Sequence, residues 1–107
     1  MKIKKGANIS GLRPEILLAV MVANDIITTE TRGGDKVFHS PLVITECTGG
    51  KHGNGSLHYV GLAVDIRKRD FSPFETNELI ALLKARLSAQ YDVVNEKTHI
   101  HIEFQPK

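Results

Sequence analysis

The stretch Leu62-Ala63-Val64-Asp65-Ile66-Arg67 constrains the fold more than any other. Leu62, Val64 and Ile66 alternate with Ala63, Asp65 and Arg67, the two-residue period of a strand with unlike faces. A carboxylate inside an apolar strand is costly unless a cation or hydrogen-bond donors meet it. The chain holds suitable partners in two places. His58 stands seven residues earlier, where a glycine-rich loop leads into the strand. Near the C-terminus, Glu96-Lys97-Thr98-His99-Ile100-His101-Ile102-Glu103-Phe104 alternates again. As a strand it puts His99, His101 and Glu103 on one face and Ile100, Ile102 and Phe104 on the other. His, Asp and His from two distant segments form a ligand set that suits zinc.

The remaining sequence predicts an α+β domain around these strands. At 107 residues there is room for one domain, residues 1–107, with one modest core. Residues 10–15 read as a helix start, with Pro14 in the first turn and Glu15 at the positive end of the dipole. This helix is expected to reach about Thr29, with Leu17, Val20 or Met21, Asn24 and Ile27 on its covering face. Residues 31–41 read as a polar connection, in which His39 is a bystander, and residues 42–45 as a short strand. Ser72-Pro73-Phe74-Glu75 is a capping box. It opens an amphipathic helix with Leu79, Ile80, Leu83 and Leu87 in one stripe, expected to end near Ala89. Tyr91, Asp92, Val93 and Val94 begin a hairpin with the last strand, turning at Asn95-Glu96-Lys97. Lys2, Lys4 and Lys5 read as a solvated arm. The expected architecture is a small antiparallel sheet with helices on one face and a metal on the other.

Charge and composition narrow the function classes. A formal charge of +2 is too small to argue for nucleic acid, though it favours approach to an anionic cell wall. The longest apolar run, residues 16–23, is too short to cross a membrane. With no secretory leader legible, synthesis in a cytoplasm is expected. Cys47 alone allows no disulfide within the chain and reads as a small buried residue rather than a nucleophile.

Ser56-x-His58-x-x-Gly61-x-Ala63-x-Asp65, followed downstream by His99-x-His101, resembles the zinc peptidases of the D-alanyl-D-alanine carboxypeptidase type. That group includes phage endolysin peptidases and shares its fold with the hedgehog signalling domain. The resemblance implies a hedgehog/peptidase-like α+β fold, one Zn2+, and a peptidoglycan stem peptide as substrate. It also implies a phage or prophage origin, a monomer, and action on the cell wall after release or from a virion.

The resemblance gives His58 and Asp65 as metal ligands, with His101 the third and His99 hydrogen-bonding the developing oxyanion. The other register, with His99 on the metal, remains open. Glu96 stands at the turn before the last strand in both registers and is the expected general base. Ser56 is expected to orient its neighbours by hydrogen bonding. Many relatives carry an arginine before the histidine motif, to hold a substrate carboxylate or oxyanion. No arginine lies between Arg32 and Arg67, so Lys51 is the expected replacement, without the planar fork. The alternative to a peptidase is a non-catalytic zinc module that binds a cell-wall peptide or a protein partner.

Overall fold

The computed structural model describes residues 1–47 and 61–105. Lys51, Ser56 and His58 lie outside the described residues. The order of elements is β1 (Lys2–Ile3), α1 (Pro14–Thr29), β2 (Thr31–Arg32), β3 (Asp35–Lys36), β4 (Val43–Glu46), β5 (Ala63–Arg67), α2 (Pro73–Arg86), β6 (Tyr91–Asn95) and β7 (His99–Phe104). Five strands form one sheet in the order β1-β4-β5-β7-β6, and β2 and β3 form a separate hairpin.

The α+β expectation holds, but the sheet is mixed rather than antiparallel. Neighbours from β4 through β6 are antiparallel, whereas β1 runs parallel to β4. The N-terminal lysines are therefore not a free arm. The backbone N–H groups of Lys2 and Lys4 donate to the carbonyls of Leu42 and Ile44, at 2.7 and 2.8 Å. Side chains in this edge strand stay exposed, so its pairing left no hydrophobic pattern to read.

Strand alternation divides the sheet into two chemically distinct faces. Ile44, Val64, Ile66, Ile100 and Ile102 are buried in one core with Ile16, Ala23, Ile26, Leu79 and Leu83 of the helices. Asp65, His99 and His101 occupy the other face. Helix α1 has the expected bounds but a different covering face. Ile16, Ala19, Val20, Ala23, Ile26 and Ile27 are buried, while Leu17 and Met21 are exposed. Its first half is apolar all round, so composition alone could not fix its rotation. Helix α2 starts at the expected capping box, Ser72 Oγ accepting from the Glu75 N–H at 3.1 Å and Glu75 Oε1 from the Ser72 N–H at 2.8 Å. It stops at Arg86, before Ala89.

The stretch read as a polar connection contains the hairpin β2–β3, turned by Gly33 and Gly34 at φ +62° and +87°. Positive φ at both central residues is what a type I′ two-residue hairpin turn requires. Phe38 follows it, wholly buried, with its ring edge-on to Phe71 at a centroid distance of 6.1 Å. Tyr91 packs on Phe104 and donates its hydroxyl to the Glu15 carbonyl at 2.9 Å, tying β6 to the start of α1.

Gly61 explains one fixed position of the histidine-containing motif. Its φ is +77°, and a Cβ there would stand 2.1 Å from the Gly11 carbonyl oxygen. Its own carbonyl accepts the Arg13 N–H at 3.0 Å. The segment leading into α1 is thus held against the entry to β5. Gly61→Ala should lower unfolding free energy by at least about 2 kcal/mol, the left-handed strain adding to the displaced backbone contact. Denaturant unfolding measures this; an unchanged midpoint would show that the approach is looser than described.

Candidate metal centre

Antiparallel pairing of β5 with β7 sets Asp65 directly opposite His101, and Arg67 opposite His99. A two-residue turn, Lys97-Thr98, is closed by the Glu96 N–H donating to the His99 carbonyl at 2.9 Å. It returns Glu96 to the same face. Lys68 Nζ donates to Asn95 Oδ1 at 2.6 Å and holds the hairpin end against the exit of β5. In β4 the register shifts between Ile44 and Glu46, so that Glu46 stands opposite Asp65. Such bulges re-aim side chains beside functional sites.

Asp65, Glu96, His99 and His101 each present a ligand atom, all within 4.8 Å of one another. His99 Nε2 lies 3.2 Å from Glu96 Oε1 and 3.5 Å from Asp65 Oδ2. His101 Nδ1 lies 2.7 Å from Asp65 Oδ1 and 3.9 Å from Glu96 Oε1. Ligands about 2.0–2.1 Å from a tetrahedral zinc are separated by about 3.3 Å. The observed separations bracket that value, so a small metal ion fits with slight opening of the Asp65–His101 pair. Two imidazoles and two carboxylates are donors of the right chemistry for such an ion.

The outer ring nitrogens are held as well. His101 Nε2 meets Glu103 Oε1 at 2.9 Å, and Gln105 Nε2 donates to Glu103 Oε2. His99 Nδ1 meets Thr98 Oγ1 at 3.0 Å. With Nδ1 of His101 turned to the cluster, its Nε2–H donates to a carboxylate, the pattern that orients metal-binding histidines.

Without metal, the hydrogen bond to Asp65 raises the pKa of His101 above its usual value; burial opposes this, and Glu103 adds to the rise. A folded-state pKa above the unfolded one gives stability that is complete below about pH 6.5 and is lost as pH rises through the folded value. The metal-free protein should therefore lose stability between neutral and alkaline pH, and His101→Gln should flatten that slope. A zinc-loaded sample should show the opposite trend below neutrality, because protons compete for the ligands. Denaturation midpoints across pH, with and without chelator, check both signs.

Of the residues expected at the site, Asp65, Glu96, His99 and His101 are brought together. Lys51, Ser56 and His58 lie outside the described residues. His39 is apart from the cluster; its backbone N–H donates to Glu75 Oε2 at 3.2 Å. Cys47 is wholly buried. Burial first, then the charges of Glu46 and Asp65, push its thiol pKa up to about 11, so it supplies no thiolate at neutral pH.

Beside the cluster is a cavity of about 840 Å³, lined also by Lys4, Thr45, Glu46, Arg67, Arg69 and Thr98. Lys4, expected in a solvated arm, thus lines the cavity, as does Arg67. The signal for Arg67 was present, because the two-residue period places it on the face of Asp65. No family model, curated protein or solved structure matches this chain.

Proposed function

We propose that the protein is a zinc-dependent peptidase that hydrolyses an amide bond in peptidoglycan stem peptides. The observation that carries this reading is the convergence of Asp65, Glu96, His99 and His101 beside an open cavity. The spacing from Ser56 to Asp65 supports it. In this reading Asp65, His101 and His58 hold the ion, with a hedgehog/peptidase-like fold as the frame. Bound zinc supplies Lewis acidity at neutral pH.

The chain's own groups do the rest. Glu96, half-exposed at the cavity edge, accepts the proton of the attacking water and returns it to the leaving amine. His99 reaches the cluster through Nε2 and hydrogen-bonds the oxyanion as charge develops. Its outer nitrogen, on Thr98, fixes the ring. Asp65 and Glu103 hold His101 from both sides. Ser56 and Lys51 orient and bind the substrate. The protein acts as a monomer on the cell wall, after release or from a virion, and is of phage or prophage origin. Among the described residues no helix is long and apolar enough to cross a membrane. The test is mass spectrometry of stem peptides incubated with zinc-loaded protein.

One observation favours a second reading. The cluster offers four ligand atoms without His58, enough to close a tetrahedral shell. A closed shell would make this a structural zinc in a module that binds a peptide or protein. Zinc retention without hydrolysis of any stem peptide would select it.

A further inference from the structure

A separate cavity of about 280 Å³ lies where the exit of β5, the start of α2 and the β6–β7 turn meet. None of the four metal-site residues lines it. Its charged lining residues are Lys68, Arg69 and Lys97, and among the described residues no carboxylate lines it. Arg69 is shared with the cavity beside the metal centre, whereas Lys68 and Lys97 are not. Cations around one hollow repel one another, and an anion between them replaces that repulsion by attraction.

The neutral groups around the cavity are donors as well. Lys68 Nζ donates to Asn95 Oδ1 at 2.6 Å. An ammonium only donates, so the amide oxygen faces Lys68 and the Asn95 NH2 is left to donate elsewhere. Lys68 thus keeps its full charge beside a neutral partner. Thr76 is only 6% exposed, yet it lines the cavity. Its backbone N–H donates to the Ser72 carbonyl at 2.9 Å, but among the described residues its hydroxyl has no hydrogen-bond partner. Buried polar groups are as a rule paired, and a ligand in the cavity supplies the missing partner. Thr76 also stands near the N-terminus of α2, where the helix dipole is positive.

The donor set selects the anion. A phosphate monoester brings about two negative charges and three acceptor oxygens. A carboxylate brings one charge and two oxygens, too few for three cations, a hydroxyl and an amide. Phe71 and Pro73 add an apolar wall that suits the carbon part of an ester. We infer that Lys68, Arg69, Lys97, Thr76 and Asn95 form a binding site for a terminal phosphoryl group. The site does not depend on the peptidase reading.

The test is NMR titration of the zinc-loaded protein with glycerol phosphate, inorganic phosphate and acetate. Glycerol phosphate should shift the Thr76 backbone N–H and the Asn95 side-chain NH2 saturably. It should bind at least about ten-fold tighter than acetate, as expected for one additional charge-assisted contact. Lys97→Gln, at an exposed turn, should keep the fold and weaken binding by about ten-fold, and added salt should weaken it too. Thr76→Val removes the hydroxyl at nearly constant shape. It should keep the fold and weaken binding, while Thr76→Ser retains it. Tighter binding of glycerol phosphate than of inorganic phosphate upholds the site with an organic ester as ligand; the reverse order upholds it with free phosphate. Equal affinity for acetate, binding unchanged in both Thr76→Val and Lys97→Gln, or shifts confined to His99 and His101 would overturn it. These readouts are independent of hydrolysis, so the phosphoryl site and the peptidase reading stand or fall separately.

Discussion

Asp65→Ala should abolish stoichiometric zinc binding. Asp65 is the most buried member of the cluster, 7% exposed, and its two oxygens face two different imidazoles. Among the described residues, Asp65 and Val94 stand opposite His101 in the strand register, so Asp65 is its carboxylate partner there. Losing a partner that only orients a ligand lowers metal affinity by about 10–100-fold, so losing a ligand should exceed about 100-fold. Stability reports the same event independently. Zinc at about 100 times its dissociation constant should raise the parent's unfolding free energy by about 2.7 kcal/mol. The variant should not respond to zinc. Elemental analysis after gel filtration and paired thermal melts make the comparison. Full zinc occupancy in Asp65→Ala would remove Asp65 from the ligand set.

Glu96→Gln separates base from ligand. The amide keeps the size of the side chain and much of its hydrogen bonding but cannot take a proton. If Glu96 is the base, zinc content and thermal stability should match the parent. Hydrolysis should fall by about 100-fold or more, the scale of general-base catalysis. Glu96 Oε1 also stands 3.2 Å from His99 Nε2, so a ligand role has its own signature: zinc falls together with activity. Retained activity would show that the carboxylate serves only the turn. His99→Ala and His101→Ala complete the set. With His101 on the metal, the first should keep most zinc and the second should lose it.

Much of this site was legible because its register follows from a period of two. The alternation at Ile100 and Ile102 fixed which face β7 buries and so placed His99 and His101 opposite it. Asp65 was identifiable as a residue in need of partners. Gly61 was recognised as a fixed motif position, but its reason, contact with the Gly11 carbonyl, joins residues fifty positions apart. Strand β1 was not legible, since two exposed residues at a sheet edge carry no pattern. That omission hid the route by which Lys4 reaches the cavity. The β2–β3 hairpin had a signal in Gly33-Gly34, but its polar strands lacked the apolar alternation that marks a paired segment. The rotation of α1 was undetermined because Leu17, Leu18 and Met21 are as apolar as the residues it buries.

The role proposed for this cluster is to hold zinc for amide hydrolysis. Its most direct test is mass spectrometry of purified peptidoglycan stem peptides after incubation with zinc-loaded protein and with chelated protein. One peptide bond should gain a water, and only in the loaded sample. Stem peptides left intact by a protein carrying one zinc per chain would contradict it.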